Sequence, residues 1–308
     1  MKILVTGGAG FIGSHIVDKL IRAGHTVVVV DDLSTGKEKN INSEARFYKL
    51  SILSDKLKDI FERERPEIVN HHAAQINLRR SIEDPFNDIE TNIEGTVNIL
   101  ENCKRYNVKR LIFASTGGAL YGEQEYFPAD EKHPILPLSP YGIDKFTAEK
   151  YLAYYAAVFG IEYIALRYSN VYGPRQNPEG EAGVISIFTE RMLEGADVCI
   201  NGDGTQTRDF VFVGDVVEAN ILAMSRGKNI SVNIGTGKET SINIVYKKLS
   251  ELTGYKKEPR YAPPIPGEIT RSCLDSRMAK RTLGWSPRIS FDKGLAETVE
   301  YFKNRKPL

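Results

Sequence analysis

Apolar residues in the first thirty positions form two continuous runs separated by a helical pattern. Lys2–Val5 and Thr26–Val30 are almost entirely aliphatic, which is typical of parallel strands covered on both faces. Between them, apolar residues recur every three or four positions across Ser14–Ala23, and Gly24 follows where a helix would end. The pattern therefore predicts a strand, a helix and a second buried strand.

The alternation of apolar runs and helical patterns continues to about residue 174. Because strands that alternate with helices build a parallel sheet with helices on both faces, we predict an α/β fold with a Rossmann-type doubly wound sheet. The further predicted strands are Phe47–Leu50, Ile68–Ala74, Lys109–Ala114 and Ile161–Arg167, and the further predicted helices are Lys56–Arg65, Asp88–Tyr106 and Tyr141–Phe159.

The pattern becomes irregular after Arg175, where glycine and proline are frequent. We expect one domain over residues 1–174, with return segments near residues 210–240, and a smaller C-terminal α/β lobe mainly over residues 175–308. Phe210–Val213 is expected to return to the main sheet, and Val232–Gly235 to belong to the smaller lobe. Pro259–Pro266 reads as a stiff connecting segment.

Glycines at positions 7, 8, 10 and 13 separate the first strand from the first helix. Such a loop lets backbone N–H groups approach a pyrophosphate, which then lies at the positive end of the helix dipole. Asp31 ends the second strand, where its carboxylate can accept hydrogen bonds from ribose hydroxyls and would repel a 2′-phosphate. This favours NAD; the alternative is a structural turn without a ligand. The expected cofactor contacts here are Gly7, Gly10, Phe11, Ile12, Gly13, Asp31, Asp32, Leu33, Ser34, Thr35 and Gly36.

Small and polar residues follow two of the later strands. Ala73 and Ala74 end one strand, and Ser115–Gly118 follows another. Because ligands in such sheets bind beyond the carboxyl ends of the strands, both segments are expected beside the cofactor. For Ala73 and Ala74, plain helix packing explains the small side chains almost as well.

Tyr141 and Lys145 are four residues apart on one predicted helix and therefore share a face. An ammonium group near a phenol, together with the positive charge of an oxidised nicotinamide, would lower the pKa of the phenol from about 10 towards working pH. Tyr141 is therefore a candidate general base for a substrate hydroxyl. The pair alone is weak evidence, but its place after a dinucleotide fold and a strand-end hydroxyl strengthens it.

Composition narrows the possible partners. The 308 residues include 41 basic and 40 acidic side chains, for a net charge of +1, and no basic stripe points to a nucleic acid or a membrane surface. No apolar run approaches the length of a membrane span, so we expect a soluble, cytoplasmic protein. Three widely spaced cysteines are expected as buried or half-buried thiols, and five scattered histidines predict no metal site.

The motifs together resemble those of the extended short-chain dehydrogenase/reductase superfamily, and within it the UDP-glucose 4-epimerases. The resemblance covers essentially the whole chain. It rests on Thr6–Gly13, the Asp31-Asp-Leu-Ser segment, His71–Ala74, Asn92–Thr96, Tyr141-x-x-x-Lys145, Leu166–Pro174 and Thr207–Phe210.

The resemblance implies a role for each matching residue. Tyr141 would be the general base and Lys145 would hold the ribose, with Thr116 as the preferred catalytic hydroxyl and Ser115 as its competitor, because the Thr116–Gly118 loop is one residue longer than usual. The further implied cofactor contacts are Ser51, Ile52, His72, Ala73, Ala74, Gln75, Asn92 and Tyr168. The implied substrate contacts are Thr116, Tyr141, Asn170, Val184, Arg208, Arg271 and Ser272, with Asn170 on the sugar or diphosphate and Arg208 on the diphosphate.

The implied reaction transfers the C4 hydride of a UDP-sugar to bound NAD and returns it to the other face of the 4-keto sugar. Several positions depart from the usual pattern: Ser51 replaces an aspartate near adenine, Asn201 an aromatic near uracil, and Ile265 an arginine whose charge Arg271 could supply. Ser272 replaces a bulky residue in the sugar pocket, which predicts tolerance of N-acetylhexosamines.

Three alternatives remain open at this point. A 4,6-dehydratase or a decarboxylase of the same superfamily would use an acidic pair where this chain has Gly117 and Gly118. A UDP-N-acetylglucosamine 4-epimerase has the same chemistry. A non-catalytic NAD-sensing regulator would be expected to lose Tyr141 or Lys145. The resemblance also implies a homodimer through the helices Asp88–Tyr106 and Tyr141–Phe159, with Tyr151, Tyr154 and Tyr155 in excess of what one buried face needs.

Overall fold

A seven-stranded parallel sheet forms the centre of the protein in the computed structural model, which describes residues 1–179, 183–264 and 269–305. The strand order is β10-β6-β5-β4-β1-β2-β3, and every neighbouring pair is parallel. The predicted Rossmann-type sheet is therefore confirmed. Its strands are β1 (Lys2–Thr6), β2 (Thr26–Asp31), β3 (Arg46–Lys49), β4 (Ile68–His71), β5 (Arg110–Thr116), β6 (Glu162–Tyr168) and β10 (Ile230–Ile234).

Helices cover both faces of this sheet. Because successive strand side chains point to opposite faces, Val29 packs on one layer and Val28 on the other. One layer contains α1, α8, α9, α10, α11 and α12, and the other contains α2, α5 and α7. The helices are α1 (Phe11–Arg22), α2 (Leu57–Glu64), α3 (Leu78–Glu83), α4 (Pro85–Ile89), α5 (Gly95–Arg105), α6 (Gly117–Leu120), α7 (Pro140–Phe159), α8 (Val184–Leu193), α9 (Val213–Ala223), α10 (Ile242–Thr253), α11 (Arg277–Leu283) and α12 (Phe291–Asn304), with a 3-10 turn at Glu38–Asn40.

Two small sheets lie in the carboxyl-terminal part. β9 (Thr207–Phe212) pairs with β7 (Asn170–Tyr172) and β11 (Glu239–Ser241), while β8 (Cys199–Asn201) pairs with β12 (Arg260–Ala262). The predicted return of Phe210–Val213 to the main sheet is therefore wrong, and so is the placement of Val232–Gly235 in the smaller lobe, because β10 pairs with β6. Both segments are buried apolar strands, and hydropathy alone does not identify a strand's partner.

The predicted helix Asp88–Tyr106 is divided in the structure. It begins earlier, with α4, and continues through a π-helical turn at Glu90–Glu94 into α5. A π turn holds one extra residue, and here it contains Asn92, whose side chain binds the backbone of Gln75. The periodicity of the apolar residues therefore continues although the helix changes its geometry.

Two further expectations concern cysteines and loops. Cys103 and Cys273 are buried free thiols, but Cys199 is exposed, contrary to expectation. The predicted connecting segment Pro259–Pro266 contains β12, and its last residues, Ile265 and Pro266, lie outside the described residues. Across the described ranges, no helix is long and apolar enough to span a bilayer.

Candidate active site

The glycine loop closes tightly between β1 and α1. Gly7 has a φ of +67°, and a Cβ on it would lie 2.7 Å from the backbone nitrogen of Ala73. A Cβ on Gly13 would lie 2.2 Å from the carbonyl oxygen of Gly7. No side chain caps the amino end of α1, so the first N–H groups, from Phe11 to Gly13, remain available to an anion. The loop therefore fits the pyrophosphate of a dinucleotide.

Asp31 fixes the shape of this loop. Its Oδ2 accepts a hydrogen bond from the backbone nitrogen of Ala9 at 2.9 Å, and its Oδ1 accepts one from Leu33 at 2.8 Å. Burial raises the pKa of the carboxyl group. A carboxylate has about four acceptor positions, so Asp31 retains capacity for ribose hydroxyls. The sequence indicated the ribose role but not the bonds to Ala9 and Leu33.

The turn after β2 lies against Asp31. A Cβ on Gly36 would lie 2.8 Å from the Oδ1 atom of Asp31, so this glycine allows the turn to approach. Leu33 has a φ of +63°, and the Asp32 carboxylate accepts a hydrogen bond from the backbone nitrogen of Ser34. Ser34, Thr35 and Gly36 thus form a turn beside the glycine loop, and their contact with a ribose stays a prediction.

A second group of predicted cofactor contacts is organised by Asn92. Its side chain accepts a hydrogen bond from the backbone nitrogen of Gln75 at 3.0 Å and donates one to the backbone oxygen of Gln75 at 3.0 Å. These two bonds hold the segment Ala73–Gln75 at the end of β4. Nearby, the Nε2 atom of His72 pairs with Asn220, and burial lowers the pKa of His72 to about 4, so that its ring is neutral.

The remaining predicted cofactor residues flank this segment. The ring of His72 stacks on that of Tyr168 with 6.3 Å between ring centroids, and the Tyr168 hydroxyl accepts a hydrogen bond from Asn220. Ile52 is buried, and its backbone oxygen accepts a hydrogen bond from Asn98 of α5. Ser51 lies in the preceding turn, where its hydroxyl oxygen accepts a bond from Leu53.

Tyr141 and Lys145 lie on the first turns of α7, which Ser139 caps. The Nζ atom of Lys145 lies 5.8 Å from the centroid of the Tyr141 ring and donates a hydrogen bond to the backbone oxygen of Ala114 at 3.1 Å. This bond ties α7 to the carboxyl end of β5. Burial lowers the pKa of Lys145 to about 8. The structure therefore brings together the pair that the spacing predicted.

The pKa of the Tyr141 phenol is raised in the structure, whereas the sequence predicted a lowered pKa. Removal from water and the negative charge of Asp88 raise its pKa, and Lys145 does not offset them. The expectation of a lowered pKa included the positive charge of a nicotinamide, which the chain itself does not supply. The positive charge of a bound oxidised nicotinamide would act in the opposite direction and lower this pKa.

Of the two strand-end hydroxyls, Thr116 is the better placed for catalysis. Ser115 is buried and donates a hydrogen bond to Glu149 at 2.6 Å, in an ion pair in which Glu149 also binds Arg167. Thr116, the last residue of β5, points to the opposite face, and its Oγ1 accepts a hydrogen bond from Ala119 at 3.1 Å. In the described part of the chain, the Thr116 hydroxyl makes no other hydrogen bond. Its proton is therefore available to a ligand.

Gly117 and Gly118 stand where the dehydratase alternative would need an acidic pair. A side chain has no room at Gly117 but has room at Gly118. A Cβ on Gly117 would lie 2.4 Å from Leu274, so a side chain there would displace its neighbours. A Cβ on Gly118 would lie 3.8 Å from Asn170 and 3.9 Å from Thr116, which are ordinary contacts. The Oδ1 atom of Asn170 is buried and has no hydrogen-bond partner. Asn170 thus offers an unused acceptor beside Thr116.

Three of the predicted substrate contacts, Arg208, Arg271 and Ser272, lie around Thr207. Arg208 donates to the backbone oxygen of Thr207 at 2.9 Å, and Ser272 binds the same oxygen through its backbone nitrogen. Arg271 forms a two-bond ion pair with Glu239 and lies 3.9 Å over the Phe127 ring. The sequence missed both partners of Arg271. Val184, also predicted as a substrate contact, is the first residue of α8.

A cavity of about 780 Å³ lies beside this group. Its walls come from the loop after β8 and from the segment around β12, and they include Asn201, Gln206, Tyr261 and Thr270. Of these, sequence reasoning singled out only Asn201. The glycine-rich run Asn201–Thr205 is typical of a turn, but its composition does not indicate that it lines a cavity. Among the described residues, no group of three or more His, Cys, Asp and Glu side chains could hold a metal ion.

Comparison with known proteins identifies the family. The model of the NAD dependent epimerase/dehydratase family matches residues 3–235. The chain belongs to this family. A relative from Methanocaldococcus jannaschii is 51% identical over 302 residues, with 98% of each chain covered.

Solved structures of family members agree closely in fold. A UDP-glucose 4-epimerase of Thermotoga maritima, crystallised with UDP-glucose, is 53% identical with a TM-score of 0.97, covering 98% of this chain and 99% of that one. A UDP-glucose 4-epimerase of Thermus thermophilus in complex with NAD is 43% identical with a TM-score of 0.94, covering 99% of each. The predicted family and fold are thus confirmed.

Proposed function

We propose that the protein is an NAD-dependent UDP-glucose 4-epimerase that interconverts UDP-galactose and UDP-glucose. The observation that carries this proposal is the convergence of Tyr141, Lys145 and Thr116 at the carboxyl end of β5, beside a glycine loop shaped for a dinucleotide. The Thermotoga maritima structure, which contains UDP-glucose, supports the choice of substrate.

Bound NAD supplies a hydride acceptor, and the chain's own residues manage the proton and the position of the sugar. The Tyr141 phenolate takes the proton of the C4 hydroxyl as the C4 hydride leaves, and it returns that proton when the hydride is restored to the opposite face. Lys145 holds the first turns of α7 at the end of β5, and the positive charge of oxidised NAD would favour the phenolate. The Thr116 hydroxyl donates a hydrogen bond to the reacting oxygen. No net oxidation occurs, because each hydride removed is returned.

Inversion requires the 4-keto sugar to turn over while its nucleotide stays bound. Arg208 and Arg271, which meet at Thr207, are proposed to hold the diphosphate, and the cavity lined by Asn201, Gln206 and Tyr261 is proposed to take the nucleoside. Asn170 offers a neutral acceptor towards the sugar. Strong binding of the diphosphate with weak binding of the hexose permits the rotation.

The dehydratase alternative is disfavoured at Gly117 and Gly118. Dehydration needs an acid and a base at C5 and C6 in addition to the C4 chemistry. Gly117 supplies neither, and Leu274 packs where its side chain would be. A non-catalytic regulator is disfavoured because Tyr141 and Lys145 are both present and adjacent in space.

The proposal is tested by incubating the purified protein with UDP-galactose, without added reductant, and following UDP-glucose by NMR. We expect interconversion to equilibrium from either sugar with no accumulation of a 6-deoxy product. Cofactor binding without turnover of either UDP-sugar would instead favour the regulator. A 4-keto-6-deoxy sugar as the product would favour the dehydratase.

Ser272 is proposed to leave room for an N-acetyl group. It is 3% exposed and lies two residues before Leu274, which packs on Gly117 at the end of β5. We expect UDP-N-acetylglucosamine to be epimerised and Ser272→Tyr to reduce that activity at least tenfold more than activity on UDP-galactose. A chain that turns over UDP-galactose but not UDP-N-acetylglucosamine would contradict this role.

We also propose a homodimer formed through α4 and α7. Phe86 of α4 is 82% exposed, and α7 presents Ile143, Tyr154 and Val158 to solvent along one stripe. Tyr155 does not belong to this surface, because its hydroxyl donates to Glu101 of α5 and its ring is buried. The apolar residues of α7 that are exposed to solvent therefore include Ile143, Tyr154 and Val158, but not Tyr155.

The dimer is tested by light scattering at about micromolar concentration. We expect twice the 34.5 kDa mass of the chain and a shift of Phe86→Glu towards the monomer. The control is Ile244→Glu, which places the same charge on an exposed apolar position of α10 and should leave the mass unchanged. A monomer of the unaltered protein would refute the interface.

We propose that the protein works in the cytoplasm. Cys103, Cys199 and Cys273 are free thiols, which is the usual state of cysteines in a reducing compartment. Cell fractionation with an antibody against the protein tests this location.

A further inference from the structure

A pair of buried carboxyl groups lies next to Tyr141 and Lys145, and the proposed reaction does not use it. Asp88 on α4 is 0% exposed, and Asp144 on α7 is 3% exposed. The charge of Asp88 acts directly on the Asp144 carboxyl and helps to raise its pKa, so the two groups are neighbours. The Oδ2 atom of each is buried and has no hydrogen-bond partner among the described residues. Since an ionised carboxylate can only accept hydrogen bonds, a bond between two carboxyl groups requires one shared proton.

The pair lies among charged groups of its own and neighbouring elements. Lys145 attracts both Asp88 and Asp144, while its Nζ donates to Ala114. It also faces Glu149 of its own helix, His71 at the end of β4 and His72 just after it. On α3, Arg79, Arg80 and Glu83 are exposed, and so are Glu90 and Glu94 of the π turn. One proton shared by the two carboxyl groups would limit the pair to a single negative charge. Burial and the neighbouring Asp88 raise the pKa of Asp144 to about 7.

The pair links the catalytic helix to the cofactor-side segment. The Oδ1 atom of Asp88 accepts a hydrogen bond from Gln75 Nε2 at 2.7 Å, and the backbone of Gln75 is held by Asn92. On the other side, Asp144 lies between Tyr141 and Lys145 in the same helix. Hydrogen bonds therefore run from Asn92 through Gln75 to Asp88, whose buried Oδ2 remains free to share a proton with Asp144.

We propose that Asp88 and Asp144 are positioning residues that share one proton, fix α7 against the Gln75–Asn92 segment, and limit the negative charge that Tyr141 experiences when it ionises. This inference rests on the proposed epimerase function. With the proton in place the pair carries one negative charge. When the proton is lost, a second negative charge appears beside Tyr141, and the phenolate is disfavoured. Tyr141 and the pair then titrate as coupled groups.

Asp144→Asn provides the decisive variant, because its amide can donate to Asp88 as the shared proton does, while it cannot ionise. We expect turnover to rise with pH as Tyr141 loses its proton, with a shallow rise in the unaltered protein. In Asp144→Asn the rise should be steeper, and its midpoint should lie about one pH unit lower. The control is Glu94→Gln, which removes an exposed charge near the same helix and should leave the profile unchanged.

A second measurement does not depend on turnover. Difference infrared spectra between about pH 6 and about pH 8 should show the loss of a protonated carboxyl band in the unaltered protein, and Asp144→Asn should lack this band. If Asp144→Asn does not fold, Asp88→Asn tests the same bond from the other side. If the unaltered protein shows no protonated carboxyl band, the shared proton is refuted. If it shows the band but Asp144→Asn has the same pH profile of turnover as the unaltered protein, the influence on Tyr141 is refuted. A normal band in a protein that turns over no UDP-sugar would refute the proposed function and leave the shared proton standing.

Discussion

Tyr141→Phe is expected to lower turnover of UDP-galactose by about 10³-fold, since general-base catalysis contributes about 10²–10⁴-fold. The substitution removes one hydroxyl and keeps the ring that lies near Lys145. The glycine loop and Asp31 do not touch this hydroxyl, so the affinity for NAD should change by less than about threefold. Steady-state kinetics by NMR and titration calorimetry with NAD measure the two quantities.

Tyr154→Phe is the matched control for that experiment. Tyr154 is an exposed tyrosine of the same helix, 52% exposed, and it loses the same hydroxyl. Its turnover should stay within about twofold of the unaltered protein. Retention of a tenth or more of the activity by Tyr141→Phe would assign the base to another group, with Thr116 the first to examine.

Glu149→Ala is expected to lower the free energy of unfolding by about 3–5 kcal/mol, because it leaves Arg167 charged and buried without its partner. The side chains are 4% and 7% exposed, and two hydrogen bonds of 3.0 and 2.7 Å join them. Glu149 also accepts hydrogen bonds from Ser115 and Ser231, so the change affects β5 and β10 as well. Urea unfolding followed by circular dichroism measures the loss.

Lys150→Ala serves as the control on the next residue of α7, where the side chain is exposed. Its effect should be within about 0.5 kcal/mol. A double variant, Glu149→Leu with Arg167→Met, should recover much of the stability, because it removes both charges together. If Glu149→Ala and Lys150→Ala have the same free energy of unfolding, the ion pair between Glu149 and Arg167 contributes little to stability.

The parts of the fold that repeat a strong pattern were predictable from the sequence. The strands β1 and β2 are aliphatic and buried on both faces, and the spacing of Tyr141 and Lys145 depends only on helix geometry. The sheet to which a strand belongs was not predictable in the same way. β9 and β10 have similar apolar runs, but β9 pairs with Asn170–Tyr172 while β10 pairs with β6. Strand pairing is a long-range property that periodicity does not encode.

In the candidate site, too, some features were predictable from the sequence and others were not. The type of residue and its position at a strand end identified Asp31 and the segment Ser115–Gly118 as candidates, and the family resemblance added Asn170 and the preference for Thr116. The partners of these side chains were invisible, since the bonds of Ser115 to Glu149 and of Arg271 to Glu239 join residues that are 34 and 32 positions apart. The π turn that places Asn92 was hidden for a related reason: the apolar periodicity around it remains nearly helical.

The two hydrogen bonds that Asp31 accepts from the backbone nitrogens of Ala9 and Leu33 preorganise the protein for binding the dinucleotide. They give the dinucleotide cradle its shape from within the chain, so little conformational freedom is left to be lost on association. More of the interaction energy then appears as affinity, and a nucleotide kept through many catalytic cycles is the behaviour that such a preorganised cradle favours.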